Sequence, residues 1–189
     1  MVLKDKKILI TGGSLGIGLA IAKKCAKEGA QIILASRNIN DLEAALDTLK
    51  AFSNLNHQFY AIDVSDVNAV EVFSGWTKNQ LGSIDGLVNC AGVYGPIGKS
   101  TIVDLHEFKQ AIEINFLGAV YMCSKFAPLI KSDTNRKIIN ISGGGAASPF
   151  PNYSAYATSK VALVRFTENL SLELGDDRFD INCVAPGFV

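Results

Sequence analysis

Short apolar runs recur along the chain, separated by longer stretches whose apolar residues repeat at helical spacing. Residues 7–11 read Lys-Ile-Leu-Ile-Thr, a β-branched run suited to a strand buried on both faces. Similar runs fall at 31–35, 58–62, 84–89, 137–141 and 180–184. Helical patterns fill the gaps at 19–29, 40–50, 66–81, 104–131 and 153–174, the fourth with a break near Asn115. Gly29 closes the first of these as a C-cap. Strands separated by helix-length segments pair in parallel through crossovers. The pattern therefore predicts an α/β fold, a doubly wound parallel sheet with helices on both faces. Residues 94–101 and 143–152 are polar and follow the fourth and fifth strands. They fall at carboxyl ends of strands, where open α/β sheets bind ligands.

Composition narrows the class. At 189 residues the chain is expected to form one domain, 1–189, with a substantial core. Zero formal net charge gives no electrostatic case for nucleic acid. No apolar run approaches the roughly 20 residues of a membrane span. The first residues lead straight into a strand without a signal-peptide pattern, so a cytoplasmic protein is expected. Cys25, Cys90, Cys123 and Cys183 lack CxxC spacing and read as buried free thiols of a reducing compartment. His57 and His106 have no ligand cluster around them and read as surface or strand-edge residues, so no metal site is expected.

Two local patterns carry chemistry. The first strand is followed by Gly12-Gly-Ser-Leu-Gly16-Ile-Gly18 and then a helix. Glycines let such a turn bring backbone N–H groups close to a pyrophosphate, and the helix N-terminus behind them favours the anion. A glycine-rich turn on its own often only connects elements. Further on, Tyr156 and Lys160 are four apart in a helical run, hence on one face. An ammonium beside a phenol lowers its pKa from about 10 and makes it a usable acid/base. Taken alone, a Tyr/Lys pair at this spacing is usually a surface contact.

Thr11-Gly-Gly-Ser-Leu-Gly-Ile-Gly18, Asn89-Cys-Ala-Gly92, Asn115, Tyr156-x-x-x-Lys160 and Pro186-Gly187 occur in that order. The ordered set resembles the short-chain dehydrogenase/reductase family over essentially the whole chain. The resemblance implies a Rossmann-like fold and hydride transfer between NADP(H) and a small carbonyl or secondary alcohol. It implies Tyr156 as acid/base, Lys160 as its tuner and ribose ligand, and Asn115 as anchor of a relay water. By residue chemistry alone, Asn115 is a helix-bending or core-bonding group. Ser14, Leu15, Gly16, Ile17 and Gly18 would join Gly12 at the phosphates. Asp63 with Val64 would lie at the adenine, although Asp63 also suits a cap or turn. Asn89, Ala91 and Gly92 resemble the segment that braces the sheet and lines the cofactor, with Cys90 replacing a commoner Asn. Pro186 and Gly187 resemble the motif beside the nicotinamide. The resemblance also suggests a homodimer or homotetramer packed through the 153–174 helix and the one before strand five.

Ser36 and Arg37 end the second strand where an acidic residue would bind the ribose hydroxyls of NAD. A guanidinium meets a phosphate bidentately, which favours NADP over NAD. Leu15 stands where many NADP-preferring members carry a basic residue. The family also places a substrate-holding serine thirteen residues before the tyrosine, and that position here is Gly143. Ser142 is expected to serve after a one-residue shift, with Ser148 as the alternative; otherwise the hydroxyl is missing. The sequence ends at Phe188-Val189, before the substrate loop, helix and seventh strand usual in the family, which suggests a fragment. A reductase/dehydrogenase is the favoured function; a non-catalytic nucleotide-binding or scaffold protein and a redox-neutral epimerase or dehydratase are the alternatives.

Overall fold

The computed structural model describes residues 1–131 and 136–187, so Phe188 and Val189 lie outside the described residues. Strands β1 (Lys7–Thr11), β2 (Gln31–Ser36), β3 (Gln58–Ala61), β4 (Gly86–Asn89), β5 (Arg136–Ile141) and β6 (Phe179–Val184) make one parallel sheet. Their order is β3-β2-β1-β4-β5-β6. The helices are α1 (Gly16–Lys27), α2 (Ile39–Lys50), α3 (Val67–Leu81), α4 (Leu105–Ile112), α5 (Gly118–Phe126) and α6 (Ser154–Glu173). The expected α/β sheet is present, with boundaries shifted by a residue or two.

Alternation within each strand divides the core. Leu9, Ile33, Leu87 and Ile138 point to the face covered by α3, α5 and α6, where they meet Phe73, Phe126 and Phe166. Ile10, Ile32, Leu34 and Val88 point to the other face, against Ala22 and Ala26 of α1 and Leu42 and Leu49 of α2. A strand with apolar groups on both sides reads as an unbroken apolar run, which is why β1 and β2 look so.

The helices start where side chains accept their free amides. Asn38, Asp66 and Asp104 each take two backbone N–H groups at the starts of α2, α3 and α4. The predicted 104–131 helix is not continuous. Between α4 and α5 the backbone widens into a π-helical turn, Glu113–Leu117, around buried Asn115. Such turns insert one residue into a helix and often sit at functional sites.

Two expectations are corrected. His57 is buried, and its Nδ1 accepts a 3.0 Å bond from the Ile32 amide, one residue outside the β2–β3 ladder that starts at Ile33. Burial pushes the imidazole pKa down, consistent with a neutral acceptor. All four thiols are free, but only Cys123 is fully buried; Cys25, Cys90 and Cys183 are half-buried. Among the described residues no His/Cys/Asp/Glu cluster could hold a metal ion, and no helix is long and apolar enough to cross a membrane.

From β1 the chain moves outward to β2 and β3, then returns to the opposite side of β1 at β4. Thr11 pairs with Asn89 and Asn89 with Asn140, so β1, β4 and β5 end in line. The crevice beyond their carboxyl ends is the topological switch point, where this architecture binds ligands.

Candidate active site

The glycine turn follows β1 directly. Gly12 has φ +62°, and a Cβ there would come within 2.8 Å of the Ala91 backbone. A Cβ on Gly18 would overlap the Gly12 carbonyl, so only hydrogen lets α1 sit down on the turn. The first turn of α1 has neither a side-chain cap nor an acidic residue. Its amides remain available to an anion, and no negative charge opposes one. Thr11, which the sequence reading gave no role, fastens the other side. Its Oγ1 accepts from the Cys90 and Ala91 amides at 3.1 and 3.2 Å, tying β1 to the segment after β4.

A cleft of about 700 Å³ runs from this turn to Tyr156 and Lys160. That volume is within the range of small-molecule and cofactor sites. Ser14, Leu15, Gly16, Ile17 and Gly18 line one end. Ser36 and Arg37 form its flank, with the Ser14 hydroxyl donating to Ser36 Oγ at 3.1 Å. Gly92, Ser142, Tyr156 and Lys160 line the far end. A smaller cavity of about 110 Å³ adjoins it, sharing Gly12, Gly92, Ser36 and Arg37 and adding Asp63, Val64 and Ala91. Asp63 Oδ1 accepts from the amide and hydroxyl of Ser65, so the carboxylate also shapes its own turn.

Four expected site residues line neither cavity. Asn89 is buried and donates to Asn140 Oδ1 at 2.9 Å, bracing β4 against β5. Pro186 and Gly187 follow β6 and line neither cavity. Asn115 stands behind the wall. Its Oδ1 accepts from the Val93 amide at 2.7 Å, and its Nδ2 donates to the Val93 carbonyl at 2.8 Å and to Ser159 Oγ at 2.9 Å. The Ser159 hydroxyl donates in turn to the Tyr156 carbonyl at 2.7 Å. This buried network ties the segment after β4 to α6.

On α6, Tyr156 and Lys160 do share a face, with the ammonium 5.7 Å from the phenol ring centre. The expected tuning is not what the structure displays. Burial raises the Tyr156 pKa, and neighbouring Tyr94 raises it further. Lys160 is itself buried, and burial brings its pKa down to about 8. Its Nζ donates to the Ile141 carbonyl at 2.8 Å instead of to the phenol. Helical spacing put the two residues together; the end of β5 captured the ammonium.

Ser142, the residue after β5, is buried, and its hydroxyl donates to the Lys160 carbonyl at 3.2 Å. That bond fastens α6 to the sheet. Gly143 is the residue that faces the phenol: a Cβ there would overlap the Tyr156 hydroxyl. Ser148 is exposed and lines neither cavity.

With this geometry in place, known proteins supply the class. The family model described as "short chain dehydrogenase" matches residues 6–189. The chain belongs to that family. It is 35% identical over 184 residues to 11-beta-hydroxysteroid dehydrogenase-like 3 of Arabidopsis thaliana, covering 97% of this chain and 59% of that protein. NAD⁺-bound xylitol dehydrogenase superposes with TM-score 0.95 at 28% identity, covering 100% of this chain and 72% of that one. A short chain dehydrogenase of Shigella flexneri 2a complexed with NADP superposes with TM-score 0.93 at 25% identity, covering 98% and 78%. The chain spans little more than half the length of several curated relatives that it matches.

Proposed function

We propose that this protein is an oxidoreductase that interconverts a small carbonyl compound and its secondary alcohol with NADP(H), Tyr156 being the acid/base. The carrying observation is the placement of Tyr156 and buried Lys160 at one end of a cleft whose other end is an uncapped, glycine-built anion site. The residues fit a dinucleotide. Gly12 and Gly18 leave no room for side chains where the phosphates would approach, and residues 14–18 would hold the pyrophosphate. Asp63 and Val64 would lie at the base, and Lys160 near the nicotinamide ribose. When bound, NADPH supplies the hydride to the carbonyl carbon.

The chain's own part is proton transfer. In reduction the Tyr156 O–H bond breaks, the proton goes to the substrate oxygen and a phenolate is left. A phenol with a raised pKa stays protonated near neutral pH, as an acid must. Lys160, with a pKa of about 8, keeps its charge there and stabilises the phenolate as it forms. Asn115 acts at one remove, through Ser159 and the Tyr156 carbonyl.

NADP is favoured because β2 ends in Ser36 and is followed by Arg37, with no carboxylate at that strand end to accept ribose hydroxyl bonds. Among the described residues Arg37 has no carboxylate within ion-pair distance, so its fork is available to a 2′-phosphate. We also propose a homodimer or homotetramer, since α6 exposes Val161 and Leu172; sedimentation velocity tests it.

A second reading is a protein that binds the cofactor without turnover. Gly143 facing Tyr156 and the engaged Ser142 hydroxyl favour it, because the substrate oxygen then lacks the expected second donor. NADPH oxidation against a panel of alicyclic and aryl ketones, with calorimetric NADPH titration, separates the two. Binding with turnover supports the oxidoreductase, binding alone supports the second reading, and no binding sinks both.

A further inference from the structure

We infer that Tyr94 supplies the second hydroxyl that holds the substrate oxygen opposite Tyr156, in place of the one that Gly143 lacks. The inference rests on the oxidoreductase reading and adds a residue to it. Tyr94 lines the cleft with Tyr156 and Lys160. Its ring is 5.2 Å from that of Tyr156 and tilted by 46°, so the two phenols belong to one packed aromatic cluster. Although 60% exposed, Tyr94 does not sit on a loose loop.

The residues on either side of it are fixed. Both backbone groups of Val93 are taken by the Asn115 side chain. Gly95, at φ +70°, packs so closely on α4 that a Cβ would lie 2.7 Å from Ala111 Cβ. The Gly98 amide bonds the Asn152 carbonyl at 2.8 Å, pinning this segment to the loop before α6. Tyr153 meets the Tyr94 ring edge-on at 5.8 Å and is itself stacked on Phe150 at 4.5 Å. A donor held this way costs little further ordering when substrate binds.

Gly143 leaves the phenol of Tyr156 without a hydroxyl from the segment after β5, and Ser142 spends its hydrogen on the Lys160 carbonyl. Tyr94 is a hydroxyl-bearing side chain that lines the cleft and packs directly on Tyr156. In reduction it keeps its proton and donates a hydrogen bond to the carbonyl oxygen while that oxygen takes the Tyr156 proton. The Tyr94 ring, which lines the cleft, also favours a substrate with a flat apolar body beside the carbonyl.

The test compares Tyr94→Phe, Tyr94→Leu, Ser142→Ala and Tyr156→Phe with the wild type, measuring kcat and KM on the best ketone of the panel and Kd for NADPH. Tyr94→Phe keeps the ring and is expected to lower kcat about 10²-fold with NADPH Kd unchanged. Tyr94→Leu should add a rise in KM. Wild-type kcat in Tyr94→Phe overturns the inference, and so does a comparable loss confined to Ser142→Ala. Wild-type kcat in Tyr156→Phe sinks the oxidoreductase reading instead.

Discussion

Two walls of the same cleft are held in place in different ways. Between β1 and α1 a few residues turn the chain, and each contact that shapes the turn is made by near neighbours or by the adjacent strand end. Across the cleft, the segment from Val93 to Gly98 is held by Asn115, Ala111 and Asn152, all distant in sequence. The first wall is tight because Gly12 and Gly18 carry no side chains; the second is fixed by the Asn115 amide, by packing on Ala111 and by the Asn152 backbone carbonyl. Damage to the first should therefore appear in cofactor binding, and damage to the second in turnover.

The sharpest break comes from Gly18→Ala. The added methyl overlaps the Gly12 carbonyl, which cannot swing away as a side-chain end would. We expect NADPH binding to be lost in calorimetry and stability to drop by about 1–3 kcal/mol in urea denaturation. Lys160→Met should lower kcat about 10²–10³-fold yet raise stability at pH 7 by about 1–3 kcal/mol, since a buried ammonium is removed. The sign follows from its pKa, about 8 folded against 10.5 ordinarily. Between those values the unfolded chain binds more protons, so wild-type stability rises with pH across that window. Lys160→Met should lack this rise, and a variant that keeps it excludes Lys160 as the source.

Asn115→Ala removes three hydrogen bonds and leaves both Val93 backbone groups unpartnered. A loss of about 2 kcal/mol is expected, with kcat falling more than NADPH affinity. An equal effect on both would erase the distinction between the walls. Arg37→Ala is the mildest change: NADPH Kd should rise about tenfold and NADH Kd stay level.

These expectations also show what the chain made legible. β1, the glycine turn and α1 could be read directly because strand alternation, glycine conformation and an acid-free helix start are local properties. The Tyr156/Lys160 face was equally local, set by one helical turn. The partner of the Lys160 ammonium was not, because Ile141 is nineteen residues away and reaches it only through the packing of β5 on α6. The break near Asn115 was visible, but its form as a π turn clamping Val93 needed the tertiary contact. His57 looked like a surface or strand-edge residue; it does directly precede edge strand β3, but nothing in its neighbourhood announces the β2 amide that it accepts from inside the fold. Tyr94 lay in a polar stretch expected at a ligand-binding strand end, but its own part appears only with the rings around it.

The central claim is that Tyr156 moves the proton while the rest of the cleft holds the cofactor. Tyr156→Phe removes one oxygen and leaves the ring contacts with Tyr94 and Phe150. Steady-state NADPH oxidation and NADPH titration on the same preparation should show kcat reduced by about 10²–10⁴-fold with Kd unchanged. Turnover at the wild-type rate in that variant would contradict the account.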